Sequence, residues 1–434
     1  MPRTPGSGTG APPINILIGR PGDAAADDVT KLIDLDTVSI EETGNQSGAS
    51  FDAVLSDLGR APRAANAFSS MRGEWRLQVN WKNPTSGDWK PMFNGFIRAP
   101  SPEIAAIYGS FALHAEDMGT LLDRAVIGTQ GVSRAAGESD KQRIAWLFGG
   151  LDQRDGIKVA QPLLAEGLDY ATKVQTLNAS MPAQRFSPRL TLRQALERIL
   201  SQASDSADYF LDHRLRLWTF DSDTAASVLD VAPYDIDVTA TPGAGKVAPQ
   251  DLVVEWDSDG LWTGFYATGS NARVSRTYLD SSDFAETTAG RLPSPYGTQL
   301  YGRRIGNFHA PDADTDVKVQ RAVRAALRDT RNPVPRITWT VEGASCLSDG
   351  VKAGTTTGDR WRGGQSVYVK SAVHGLNGSG TDAGPWAGSN GTGGALLQPF
   401  RLKRVRTTFA SGKGDMIQEC EAGGRRKALY QGSA

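Results

Sequence analysis

Six residues, Thr241-Pro242-Gly243-Ala244-Gly245-Lys246, have the composition of a phosphate-binding loop, in which backbone amides and a lysine cradle phosphate oxygens. That chemistry needs a glycine five residues before the one preceding the lysine, and a hydroxyl after the lysine for magnesium. Ala240 and Val247 stand at those positions and no helical pattern follows, so the segment reads as a turn between strands. Asp312-Ala313-Asp314-Thr315-Asp316 opens like a calcium loop, whose carboxylates would share one hard cation. Its sixth position, where the chain must turn sharply, is Val317, and its twelfth, where a bidentate glutamate belongs, is Val323. Acidic residues opening a helix meet its positive end, which accounts for the cluster without a metal.

His114, His213, His309 and His374 are scattered, and none has the spacing that sets two imidazoles on one helix face for zinc. Cys346 precedes Leu-Ser-Asp-Gly and Cys420 lies in a strand pattern, so neither carries a papain-type signature, and no nucleophile elbow occurs. Glycoside hydrolysis asks only for two facing carboxylates, which 48 acidic residues neither specify nor exclude. No catalytic, cofactor-binding or metal-ligating residue is therefore assigned, and the expectation is a protein without enzymatic activity or cofactor. The tryptophans, among them Trp75, Trp81, Trp89, Trp218, Trp256, Trp262 and Trp339, sit mainly in or beside strands. Aromatic residues there fill a core or a subunit interface; a sugar-binding platform is the alternative. Trp361 and Trp386, in Gly-rich surroundings, are the candidates for contact with a partner.

The elements that would position these residues are mostly strands. At 434 residues the chain exceeds one ordinary core, and 39% hydrophobic with 22% charged residues is the balance of a folded protein. A formal net charge of -1 provides no general field for nucleic acid, so no sequence-specific nucleic-acid binding is expected. Arg401, Lys403, Arg404 and Arg406 form one weak basic cluster, read as a solvated strand. Two cysteines make no disulfide framework. No stretch approaches the roughly 18 apolar residues of a membrane span, and the Pro- and Gly-rich start lacks the charged and apolar regions of a signal peptide. Synthesis in a cytoplasm is expected.

Period-two alternation predicts strands at residues 14–19, 37–42, 49–55, 74–81, 93–97 and 104–115, with a hairpin across Gly44-Asn45-Gln46 and a short helix from Asp117. Residues 140–151 and 191–203 have helical spacing, and Thr191 with Gln194 makes a capping box. Residues 208–220 read as two strands about a tight turn. Strands resume at 252–256 and 263–268, and 312–328 is an amphipathic helix with a Val319, Ala322, Val323, Ala326, Leu327 stripe. Strands at 336–342, 365–375, 400–410 and 415–422 follow, interrupted by a Gly/Ser/Asn-rich loop at 376–394. This order predicts an α+β, mainly β fold: two small antiparallel barrel-like domains with a helix-containing insert. The division is a flexible arm at 1–13, a first barrel at 14–100 with about 206–250, an α+β insert at 101–205, a second insert at 251–335, a second barrel at 336–422 and a tail at 423–434.

Several segments in order carry a resemblance. They are Phe93-Asn94-Gly95-Phe96-Ile97; Leu113-His114-Ala115-Glu116-Asp117 ahead of Leu121-Leu122-Asp123; and Tyr209-Phe210-Leu211-Asp212 turning into Leu215-Arg216-Leu217. Tyr301-Gly302-Arg303-Arg304, the helix from Asp312, Ile337-Thr338-Trp339-Thr340-Val341 and Gly364-Gln365-Ser366-Val367-Tyr368-Val369 complete the set. In this order the chain resembles the tail hub, or minor tail, proteins of long-tailed bacteriophages, whose relatives include the base of the type VI secretion spike. It departs from them at His213-Arg214, where an Asp-Gly turn is common. The resemblance implies a virion structural protein of the tail tip: a homotrimer whose paired barrels form a ring of six, joining a sixfold tail tube to threefold tip or fibre proteins and closing or gating the DNA channel. It implies the distal tail protein, the tape-measure protein C-terminus and a central fibre or spike as partners. The alternative is a tail-associated cell-wall hydrolase or a carbohydrate-binding adhesin.

Overall fold

Isoleucine at every second position puts Ile14, Ile16 and Ile18 on one buried face of β1 (Ile14–Gly19), the pattern of a strand with one side on a core. The same alternation builds the elements that follow: β2 (Asp27–Asp28), β3 (Ile33–Thr43), β4 (Ala49–Leu55), β5 (Arg76–Lys82), β6 (Trp89–Ile97) and β7 (Phe111–Asp117). In a computed structural model, residues 14–19, 26–43, 48–55, 75–82, 87–98, 111–128, 131–151, 158–204, 207–221, 234–237, 251–257, 262–270, 275–279, 304–310, 313, 315–330, 334–342, 360–364, 366–371, 376–377, 400–409 and 416–423 are described. The N-terminal arm, the Gly44–Gln46 turn, Tyr301 to Arg303 and the loop beyond Asn377 lie outside them.

After β7 the chain enters the insert: α1 (Leu121–Arg124), β8 (Val132–Arg134), α2 (Asp140–Ala145), α3 (Gln161–Ala165), β9 (Gln184–Phe186) and α4 (Leu192–Ala203). Both α2 and α4 start at full capping boxes, Ser139 with Gln142 and Thr191 with Gln194. Leu122, Ile144, Phe148, Leu196 and Ile199 form the insert's own core. The hairpin β10 (Ala207–Leu211) and β11 (Leu217–Asp221) closes it. Tyr209 and Leu217 belong to that core, while Phe210 and Trp218 stack at 5.8 Å with Phe210 against Gly364. The hairpin thus bridges the insert and the main sheet.

Next come β12 (Tyr234–Asp237), β13 (Val253–Asp257), β14 (Gly264–Thr268), β15 (Ser275–Leu279) and β16 (Ile305–His309), then α5 (Asp316–Thr330). Here β14 pairs antiparallel with β15 and parallel with β16, and Val319, Val323 and Leu327 of α5 cover Phe265 and Ala267. The helix begins at Asp316, four residues later than expected from Asp312, and ends at Thr330. The C-terminal strands are β17 (Val334–Glu342), β18 (Ser366–Ser371), β19 (Leu376–Asn377), β20 (Phe400–Phe409) and β21 (Met416–Gly423). Leu376 and Asn377, placed in the Gly-rich loop by composition, pair with β18, and Gly423, counted in the tail, ends β21.

The fold is mainly β and antiparallel, as expected, but the two closed barrel-like units are not what the pairing produces. Among the described residues the strands run in one open path, β13-β17-β21-β20-β3-β4-β7-β6-β5-β1-β2, with β12, β18 and β19 alongside. The seam is β20 on β3, where Thr407 pairs with Ile40. One core serves both halves: Ile40, Phe51 and Phe93 lie in the same cluster as Trp339, Leu402 and Val405. Alternation tells which face of a strand is buried and is silent about which strand lies beside it. β3, at 11 residues, is long enough to hold β4 on one edge and β20 on the other.

Candidate functional site

Polar residues in the buried phase of strands mark the place where the chain's distant parts meet. Glu42 follows Val38 and Ile40 on the inward face of β3, and Gln418 stands between Met416 and Cys420 on that of β21. Each is paired. Arg360, fully buried, makes a two-pronged ion pair with Glu42, one prong at 2.8 Å, and donates to Met92 O at 2.7 Å. Gln418 accepts from Trp361 N at 3.2 Å and donates to Trp361 O at 3.0 Å and Thr407 Oγ1 at 3.1 Å. These bonds pin residues 360–364 across β3, β6, β20 and β21. Charges so buried persist only when paired and hydrogen-bonded.

Beside this network lies a cleft lined by Glu42, Asn94, Asp117, Asp212, His213 and Arg362, among others. Asp117, at the end of β7, accepts from Ala49 N at 2.7 Å and from Gly119 N at 2.9 Å, so it ties β4 to the first turn of the insert. Burial pushes its carboxyl up to about 6, against those two amides and the Arg193 cation. Gly48 packs over it with φ +76, and a Cβ there would stand 2.5 Å from Asp117 Oδ2, so only glycine suits both the backbone and the space. Gly95, the glycine of the Phe-Asn-Gly-Phe-Ile segment, has a comparable reason: a Cβ would run into Glu116 O of the paired strand.

His213 sits in the hairpin tip, where burial and then the Arg362 and Arg360 cations hold its imidazole well below its usual range. Arg362 Nη1 is 3.1 Å from His213 Nδ1. Asp212 organises that tip in place of an Asp-Gly pair, accepting from Arg214 N, Arg216 N and Trp218 Nε1 at 2.9 to 3.0 Å, while Leu215 takes φ +58. The cleft therefore holds an imidazole pushed toward its neutral form and a carboxyl raised to about 6. Thr43, a hydroxyl lining it, donates to Gly48 O at 2.6 Å and so serves the turn.

The other residues singled out by type are distributed as follows. His114 lies 2.7 Å from Asp52 on the exposed side of the sheet, and His309 lies 2.9 Å from Thr268. Cys420 is buried. Residues 241–246, Asp312, Asp314, Cys346, His374 and Trp386 lie outside the described residues. Trp361 is a correction: it is fully buried, edge-on to Trp339 at 6.0 Å, because Arg360 and Gln418 hold its backbone inside the sheet. It is no surface platform for a sugar or a partner. The basic cluster lies on β20 as a largely solvated strand, as expected, with Arg401 alone mostly covered. Arg401 is 3.0 Å from Asp208 and 4.3 Å from the Phe220 ring centre, Arg404 is 2.6 Å from Glu41, and Arg406 is 3.8 Å from Glu419. These cations are neutralised by neighbouring strands and the hairpin.

Outward, the sheet carries polar pairs. Asn80 donates to Asn15, Gln78 to Asn80 and Arg76 to Asn94 at 3.0 to 3.2 Å, while Arg336 lies 3.0 Å from Glu421 and 3.6 Å from Glu255. Among the described residues no helix is long and apolar enough to cross a membrane.

The fold built of this open antiparallel sheet, the α+β insert entered through β7 and the second small α/β unit is similar to that of solved phage tail proteins. The chain aligns over 96% of its length with 99% of the tail protein from Neisseria meningitidis MC58, at a TM-score of 0.55 and 14% identity. It aligns over 96% with 99% of the 43 kDa tail protein of prophage MuSo2 from Shewanella oneidensis, at a TM-score of 0.55 and 10% identity. No protein-family model and no curated protein matches the sequence.

Proposed function

We propose that the protein is a structural component of a phage tail tip, located in the virion. The observation that carries this reading is the end-to-end match of the fold to two tail proteins, over 96% of this chain and 99% of each of theirs. In the finer form of the proposal it is a homotrimeric hub that joins a sixfold tail tube to threefold tip or fibre proteins and closes or gates the DNA channel. The distal tail protein, the tape-measure C-terminus and a central fibre or spike are its proposed partners. Among the described residues the sheet is open at β13 and at β2, and open edges are safe when another chain covers them. The proposed division keeps 14–100 with 206–250 and 336–422 as sheet-building parts, and 101–205 and 251–335 as inserts, each of which lends one strand, β7 and β13, to the main sheet. No enzymatic activity is proposed, since the polar side chains of the cleft serve the fold.

Light scattering on the purified chain with negative-stain electron microscopy tests this. A mass of three chains, or rings of threefold symmetry, is expected. A monomer at every concentration that also fails to bind isolated tail tubes would count against the hub.

A further inference from the structure

Helix α5 of the second small unit has two unlike faces. Val319, Val323 and Leu327 are buried against Phe265 and Ala267 of β14. At 3.6 residues per turn, Val317, Arg321, Arg324 and Arg328 recur on the stripe nearly opposite, at spacings of four, three and four. Val317 is 73% exposed, the most open large apolar residue among the described ones, so this stripe begins in solvent. The two acids of the helix, Asp316 and Asp329, each fall about 110° from the centre line of the stripe. Lys318 falls about 90° from it. The stripe therefore carries three arginines and one valine over about 16 Å, with no carboxylate residue among them.

We propose that this stripe of α5 docks an acidic α-helix of a partner protein, whether or not the chain forms a trimeric hub. Spacings of four, three and four are those of a coiled-coil seam, the line along which a second helix meets the first. Arginines on that line select glutamate or aspartate at the facing positions, because a guanidinium pairs a carboxylate through a two-pronged fork. Val317 adds an apolar contact at one end, which fixes the register of the partner: one apolar residue, then acids. The α5 of a second copy is ruled out as occupant by like charge. Nucleic acid is the poorer match. Three cations neutralise about three phosphates, whereas duplex binding draws on roughly 6–10 such contacts. The net charge of -1 lends no wider field to make up the difference.

Fluorescence anisotropy on the full chain tests the stripe with three labelled probes. They are an alanine-rich helical peptide with glutamate at its heptad a and d positions, the same peptide with glutamine there, and a duplex DNA of random sequence. The glutamate peptide is expected to bind most tightly. The triple variant Arg321→Gln, Arg324→Gln, Arg328→Gln is expected to weaken it about tenfold or more, at about two- to fivefold for each exposed ion pair. Lys318→Gln, off the stripe, is expected to change it by less than about twofold. No binding of the glutamate peptide, equal binding of the glutamine peptide, or tighter binding of the duplex would overturn the proposal. So would a loss in Lys318→Gln as large as that in the triple variant. Should the triple variant fail to fold, Arg324→Gln alone decides, and an unchanged affinity counts against the stripe.

Discussion

Glu42 and Arg360 are 318 residues apart in sequence and form the most deeply placed ion pair of the molecule's described residues. Glu42→Ala leaves a buried guanidinium without its counter-charge and is expected to cost about 3–5 kcal/mol in urea unfolding. The double variant Glu42→Met with Arg360→Met should recover much of that loss, since no lone charge remains; equal losses in single and double variants would show that the stranded charge is not the cause. His213 offers a pH test at the same scale. Its folded pKa lies below the usual 6.5, so the stability it contributes is present above that pH and is lost as pH falls and the unfolded chain takes up a proton. His213→Gln is expected to flatten the acid side of the Tm-against-pH curve below 6.5. Glu42, Gln418 and Thr407 interrupt apolar phases of their strands, a signal of buried polar pairing that the reading of the sequence did not use. Asp117 was legible as a helix start, but its burial was not, because Gly48 and the hairpin that cover it come from elsewhere in the chain.

Among the elements, α4 was readable to the residue. Thr191 and Gln194 fix its start through bonds that lie within four residues. Thr191→Ala is expected to cost about 1 kcal/mol, measured by thermal unfolding, with the sheet unaffected. The segment 360–364 is the opposite case. Its Gly-rich sequence suggested an exposed stretch, yet its Trp361 is core. Trp361→Ala is therefore expected to cost about 3–5 kcal/mol of stability by chemical denaturation; a folded, equally stable variant would refute its buried place. The hairpin β10–β11 shows both sides of the matter. Its strands follow from alternation, while its five-residue tip depends on Asp212, whose four acceptor contacts replace the glycine turn.

At the scale of the whole molecule, β3 needs β20. A fragment ending at residue 250 would leave the outer edge of β3 unpaired and Glu42 without Arg360. Such a fragment is expected to be aggregated or unfolded by circular dichroism and gel filtration, whereas independent barrels would let it fold. Period-two and period-3.6 patterns in the sequence determined most of the long strands and the helices α2, α4 and α5, with the Thr191 cap, because those signals act over a few residues; the short strands β2, β8, β9, β12, β15, β16 and β19 and the helix α3 carry too few residues to show a period. The mainly β class and the tail-protein resemblance followed from their order. Only the tertiary structure decided that two groups of strands share one sheet and one core, that Trp361 is inside, and that Asp117 lies under Gly48. These depend on contacts between residues tens to hundreds apart, whose energy comes from burial and pairing that no local pattern encodes.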